Sequence, residues 1–361
     1  MEPIKIAVDA MGGDHAPGVV VQGAVLATQE WGIPLTLVGN QDLIASKLAG
    51  LTYNSDLITI HHCTEVAGME ESPIEVIRKK KNASIRVALE LVKKGQAQGV
   101  VSAGNSGATV ALGVVILGKL PGVERPALGA ILPFKDSQTL LIDVGANVDC
   151  TTYQLVQFAI MAEPLAKYLM KRPNPRIGLL SIGEEESKGN DLVRRTAETL
   201  RKAPLNFIGN VEGGDLFSGK VDIIVCDGFV GNICLKLSEG LAETFGVMLK
   251  KEIRSGLRSK MGFLLMKPAF QRFSKKVDYA EYGGVPLLGI NGVVVICHGA
   301  SGPRAIMNAI RVAATTVQDQ VNEHVLEGLK QYESYYRKMK HLRFWDALRR
   351  RMKTKEEKQE H

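Results

Sequence analysis

The stretch Val100-Val101-Ser102-Ala103-Gly104-Asn105-Ser106-Gly107-Ala108-Thr109-Val110 decides the fold. The apolar run from Gly99 to Val101 ends a buried strand, and a helix resumes from about Thr109 to Lys119. Between them the chain uses only small residues. Ser102, Asn105, Ser106 and Thr109 offer hydrogen bonds without charge, and Gly104 and Gly107 let the backbone approach a ligand closely. A strand that releases through such a loop into a helix N-terminus builds an anion site, because unpaired N–H groups and the positive end of the helix dipole converge there. Phosphate is the anion that fits. A plain strand-to-helix turn without ligand has the same local pattern, so one loop alone does not decide.

The pattern recurs along the chain. Asp9-Ala10-Met11-Gly12-Gly13-Asp14-His15 follows the strand Ile4 to Val8, and Pro17 stands where a helix opens. Asp143-Val144-Gly145-Ala146-Asn147, Glu186-Ser187-Lys188-Gly189-Asn190 and Asp227-Gly228-Phe229-Val230-Gly231-Asn232 each follow a Val/Ile/Leu run. In open α/β sheets ligands sit beyond the carboxyl ends of the strands. These five loops are therefore expected to line one cleft.

Strands read at about 4–9, 35–39, 57–62, 98–102, 127–132, 139–143, 176–182, 205–209, 221–226 and 292–297. Helices read at about 17–31, 41–49, 74–94, 107–119, 152–171, 190–202, 231–252 and 302–331. Most strands are continuous apolar runs, as expected when helices cover both faces of a mainly parallel sheet. This is a Rossmann-like α/β pattern, with one lobe from the ends of the chain, one from its middle, and a cleft between them. The 361 residues suffice for one large domain or two joined ones.

Other classes are excluded or disfavoured. No apolar run is long enough to cross a membrane, and the N-terminus enters a strand and not a signal peptide, so the expected compartment is the cytoplasm. Five cysteines without CxxC spacing read as buried thiols, not as a disulfide framework or a zinc site. Gly113 to Lys119 matches most of a phosphate-binding P-loop, but Leu120 stands where Ser or Thr is required. No metal or cofactor is implied.

The net charge of +7 is local. Residues 250–276 carry +8 and residues 337–361 carry +6, leaving the rest of the chain at −7. Such basicity points to an anionic membrane surface or an acidic protein, and nothing resembles a nucleic-acid-binding module. Within 250–276, Leu257, Met261, Leu264 and Leu265 share one helix face flanked by Arg254, Arg258, Lys260 and Lys267, a pattern suited to a membrane interface or to packing on a second subunit. Leu342, Trp345, Leu348 and Met352 repeat that design in the C-terminal extension, 333–361.

Taken together, Ile6 to Asp14, Val101 to Ala108, Asp143 to Asn147, Glu186 to Asn190 and Asp227 to Asn232 resemble the bacterial phosphate acyltransferases, over roughly residues 4 to 330. The resemblance implies a domain of about 1–332, a homodimer, and a fold of the isocitrate/isopropylmalate dehydrogenase type. It also implies the reaction of acyl-[acyl carrier protein] with inorganic phosphate to give acyl phosphate for phospholipid synthesis. A phosphotransacetylase using coenzyme A and a non-catalytic membrane-associated adaptor are the competing readings.

The loop residues suit acyl transfer. Phosphate is already an oxyanion nucleophile, so the site needs proximity and donors for the developing tetrahedral oxyanion, not an activated serine. Gly13, Asp14, His15, Ser102, Gly104, Asn105, Ser106, Asn147, Asn190 and Asn232 are the expected phosphate or substrate contacts. Lys188 is the candidate for charge stabilisation, although a solvated loop lysine has the same sequence setting. Asp143 and Asp227 either orient that lysine and balance protons or cap helices.

Overall fold

The computed structural model describes residues 3–134, 137–277 and 283–334. Its first part holds β1 (Ile6–Asp9), α1 (Gly18–Trp31), β2 (Leu35–Gly39), α2 (Gln41–Leu48), β3 (Ile58–His62), α3 (Pro73–Lys79), α4 (Ser84–Lys93), β4 (Gly99–Ser102) and α5 (Ser106–Ile116). The middle adds β5 (Ala127–Phe134), β6 (Ser137–Ile142), α6 (Thr152–Tyr168), β7 (Ile177–Leu180), α7 (Asp191–Leu200), β8 (Phe207–Val211) and β9 (Ile223–Val225). Then follow α8 (Gly228–Arg254), α9 (Leu257–Val277), β10 (Val285–Leu288), β11 (Val293–Ile296) and α10 (Pro303–Gln318).

One eleven-stranded sheet has the order β3-β2-β1-β4-β11-β10-β5-β6-β9-β7-β8. Pairing is parallel from β3 to β11 and again from β6 to β8, while β11–β10, β10–β5 and β5–β6 are antiparallel. Alternate strand residues feed opposite faces. Ile6, Val8, Val101 and Val295 pack with α1, α2 and α10, whereas Ala7, Val100 and Val294 pack with α4 and α5. In the other half Leu140, Ile142, Ile177 and Val225 pack under α6 and α7. The large, mostly parallel sheet of the sequence reading is present.

Three local expectations change. The run expected as one helix over 74–94 is two, because Glu65 draws the chain out at the joint: its Oε2 accepts from Asn82 N at 2.7 Å and its carbonyl from Ser84 N at 3.0 Å. The helix expected over 302–331 breaks at 319–320, where Gln320 has φ 50°, and resumes over 321–334. The strand β10 carries no strand signal because Pro286 sits inside a run of four residues. Leu342, Trp345, Leu348 and Met352 lie outside the described residues.

Gly231 fixes how α8 leaves the sheet. A Cβ there would sit 1.8 Å from the Asp143 carbonyl oxygen, so only glycine lets the helix base lie on the loop after β6. Gly240, farther along α8, has open space around the same position. Gly231→Ala should therefore lower stability by about 1–3 kcal/mol or prevent folding. Gly240→Ala should raise it by about 0.5–1 kcal/mol if helix propensity governs there. Urea denaturation of both variants checks the contrast, and a silent Gly231→Ala would refute the packing.

Candidate functional site

The first cluster forms where β1, β4 and β11 end. Register places Asp9 beside Ser102, and Ser102 beside Ile296. Asp9 and Ser102 are both buried, 2% and 1% exposed. Ser102 Oγ donates to Asp9 Oδ2 at 2.7 Å and accepts from Gly104 N at 3.1 Å, so the carboxylate shapes the loop through the hydroxyl. Burial pushes the Asp9 pKa up, against the hydrogen bonds from the Ser102 hydroxyl and the Met11 backbone N–H. Gly12 has no room for a side chain: a Cβ would lie 2.5 Å from Asp9 Oδ2 and 2.7 Å from Gly104 N. Asp14 N donates to Gly299 O at 2.9 Å, tying the loop after β1 to the loop after β11.

Asn105 has a different job from the expected one. Its Oδ1 caps α5 by accepting from Ala108 N at 2.9 Å. Its Nδ2 donates to the carbonyls of Gly68, Met69 and Glu71 at 3.2, 2.8 and 2.9 Å. The amide thus clamps the segment 68–71 against the loop. Ser102 is likewise an internal residue, not a surface contact. Ser106 is exposed, and the backbone N–H groups of Asn105, Ser106 and Gly107 have no protein partner among the described residues. Those donors open the first turn of α5, where the helix dipole is positive. Asp14 and His15, in the loop after β1, are exposed.

A second cluster forms where β6, β9 and β7 end. Asp143 is fully buried; Oδ1 accepts from Leu128 N and Ala146 N at 2.9 and 3.2 Å, and Oδ2 from Asn147 N and Nδ2 at 2.7 and 3.0 Å. Burial raises its pKa while these bonds oppose the rise. Asn147 Nδ2 also reaches Pro126 O at 2.7 Å. Asp227 caps α8 through Val230 N, and Asn190 caps α7 through Val193 N, each at 2.9 Å. Asn232 is exposed next to Gly145. Lys188 is exposed, and its ammonium has no hydrogen bond or ion pair among the described residues. Asp143 and Asp227 are therefore engaged with backbone N–H groups and do not orient Lys188, so the capping alternative describes Asp227.

The five loops leave strands of two opposite directions. Because the sheet reverses through β10, β5 and β6, β1, β4 and β11 run one way and β6, β7 and β9 the other. The loops separate into two clusters accordingly. Sequence reading missed Asp9, although a carboxylate closing an apolar strand was the visible signal, and it missed the segment 68–71, which carries none.

The helical hairpin is largely uncovered. Only Gly228 and Gly231 of α8 are buried, while Val230, Ile233, Leu237, Leu241, Phe245 and Met248 fall on one exposed helix face. On α9, Met261, Leu264 and Leu265 are exposed, and the Leu257 side chain lies outside the described residues. All five cysteines are free; Cys63, Cys226 and Cys297 are buried, and desolvation is the main cause that pushes the Cys297 thiol up to about 12. Among the described residues no group of three or more His, Cys, Asp or Glu could hold a metal, and no helix is long and apolar enough to cross a membrane.

A family model described as a fatty acid synthesis protein matches residues 4–324. The phosphate acyltransferase of Trichlorobacter lovleyi is 54% identical over 328 residues, 91% of this chain and 95% of that protein. The phosphate acyltransferase of Geotalea uraniireducens is 54% identical over 341 residues, 94% of this chain and 99% of that protein. Among solved structures, a phosphotransacetylase from Streptococcus pyogenes superposes with a TM-score of 0.60 at 20% identity, covering 88% of this chain and 94% of that one. That last likeness is one of fold.

Asn105→Ala should cost about 1 kcal/mol for the lost cap, and more for the three freed carbonyls. Ser106→Ala should leave stability within about 0.5 kcal/mol, as an exposed substitution does. Urea midpoints check this, and equal losses would refute the clamp. The Asp9 pKa lies above 3.8 in the fold. Wild type is therefore most stable relative to a non-titrating Asp9→Asn variant below pH 3.8, and it loses that advantage as pH rises through the raised value. Parallel pH–stability curves would contradict this.

Proposed function

We propose, from the premise that the chain belongs to the fatty acid synthesis protein family and is an enzyme that transfers acyl groups to phosphate, that its donor is a fatty acyl thioester of acyl carrier protein. The reaction is acyl–S–carrier plus HPO4²⁻ giving acyl–OPO3²⁻ plus HS–carrier. A phosphate oxygen attacks the thioester carbonyl, the C–S bond of the tetrahedral oxyanion breaks, and the phosphate proton ends on the carrier thiol. The observation that carries the reading is the start of α5, with the Ser106 hydroxyl and three unpartnered N–H groups at its first turn. Phosphate rests there, bordered by Gly13, Asp14, His15 and Gly104, while the Asp9–Ser102 pair holds the loop from behind.

Lys188 stabilises the oxyanion from the second cluster, whose loop shape Asp143, Asn147, Asn190, Asp227 and Asn232 maintain. Sheet twist lets the two clusters border one cleft. At about 20–25° per strand pair, the four steps from β4 to β6 turn these strands by about 80–100°, so their carboxyl ends are near perpendicular and not opposed. The finer fold assignment, to the isocitrate/isopropylmalate dehydrogenase type, belongs to the same reading. A phosphotransacetylase-type use of coenzyme A is the second reading, favoured by the fold likeness. The enzyme assignment sets the adaptor reading aside.

The proposal extends to a cytoplasmic homodimer that rests on the membrane. The 27 residues of α8 span about 40 Å. Its apolar face suits a second copy, while Met261, Leu264 and Leu265 of α9, amid Arg254, Arg258, Lys260 and Lys267, suit an anionic bilayer. The same positive charge attracts the acidic carrier.

Carrier release from a long-chain acyl thioester and phosphate tests the donor: turnover with the acyl carrier and not with acetyl-coenzyme A is expected, and the reverse would replace the proposal with the second reading. Lys188→Ala should lose about 100–1,000-fold in kcat at unchanged stability, and Lys188→Arg should rescue it poorly. Normal turnover of the alanine variant removes Lys188 from the site. In flotation with anionic vesicles, Leu264→Glu should detach the protein, and undiminished binding overturns the membrane contact.

A further inference from the structure

Three adjacent strand ends around the second cluster carry large apolar side chains into the open. Ile182, just past β7, is 83% exposed; Val148, in the loop after β6, is 61% exposed; Phe229, in the first turn of α8 after β9, is 58% exposed. The parallel neighbours β6, β9 and β7 set these ends side by side. A hydrogen bond from Gly228 N to Asn147 O at 2.7 Å fastens the backbone beside Phe229 to the backbone beside Val148. The same loops carry Asp143, Lys188 and Asp227, so an apolar rim stands directly against a polar cluster.

Just past β7 and on β8, two buried polar atoms have no partner among the described residues: Ser181 Oγ and Asn210 Oδ1. Asn210 is 6% exposed, and its Nδ2 holds the Glu185 carbonyl in the Lys188 loop at 3.0 Å. Buried groups of this kind take a ligand or water partner. Apolar walls with a few convergent polar groups are the usual make-up of a small-molecule site. Phosphate has no use for an apolar wall, whereas the group transferred to it is an acyl chain.

We propose that Val148, Ile182 and Phe229 seat the methylenes of the acyl chain beyond its first few carbons, with the adjoining polar cluster left to the thioester end, and that this seat sets the preference for long chains. The proposal rests on the reading of the second cluster as the place where the thioester carbonyl is held. It does not depend on which carrier bears the thioester. A fully seated methylene is worth about 4-fold in affinity. Wild-type kcat/KM should climb with each added carbon until the seat is full.

The experiment measures kcat/KM against chain length, from butyryl to palmitoyl, for wild type, Ile182→Ala and Phe229→Ala, with acyl-carrier and acyl-coenzyme A donors in parallel. Both positions are exposed, so the variants should fold, and light scattering reports their assembly state. Each variant is expected to lose about 10-fold or more with palmitoyl donors and less than about 3-fold with butyryl, as lost methylene contacts dictate. Uniform loss across chain lengths, or no loss with palmitoyl, overturns the seat. A loss accompanied by conversion to monomer also overturns it, making the rim a contact with a second copy. Failure of the carrier donors alone, with the chain-length pattern intact on coenzyme A, overturns the donor assignment and leaves the seat standing.

Discussion

The hydrogen bond from Ser102 Oγ to Asp9 Oδ2 is what the rest of the first cluster depends on. An ionised carboxylate taken out of water costs several kcal/mol unless it is fully bonded. Here the partner is a hydroxyl on the neighbouring strand, and that hydroxyl in turn accepts from Gly104 N. The position of the loop that starts α5 therefore follows from strand register. Gly12 is squeezed between Asp9 and Gly104, so the loops after β1 and β4 close on each other with no space for a side chain. Asp143 repeats the solution in the other half, with backbone N–H groups in place of a serine. In both halves a buried carboxylate at a strand end organises the loop that follows it.

Much of this was legible in the sequence, and the limit falls at a physical boundary. Continuous runs such as Ile6–Val8 and Leu140–Ile142 mark strands buried on both faces, because burial on both faces is what removes alternation. The small polar loops are equally visible, since Gly, Asn, Asp and Ser are the residues that tight turns and caps require. Whether a polar side chain faces in or out is decided by neighbours distant in the chain. Asn105 and Ser106 are adjacent and chemically alike, yet one is consumed by three carbonyls from 68–71 and the other points to solvent. Pro286 hid β10, and with it the reversal of the sheet that separates the loops into two clusters.

Charge and apolar surface divide the molecule in the same way. The α/β body carries the acidic balance of the chain, and the hairpin of α8 and α9 carries basic residues around an uncovered apolar face. That face begins at Val230, next to Phe229 on the rim of the second cluster, and continues along α8 to Met248. A reaction whose substrate and product both bear an acyl chain is served by apolar surface that starts at the site and leads away from it. On the proposed reading the polar clusters handle phosphate and the developing charge, and the rim handles the chain.

A crystal structure of the full chain grown with phosphate tests this arrangement most directly. The anion should bind against the backbone N–H groups of Asn105, Ser106 and Gly107 and the Ser106 hydroxyl, with the Asp9–Ser102 hydrogen bond unchanged behind them. An anion bound elsewhere, with the start of α5 empty, would contradict the assignment of that loop as the phosphate site.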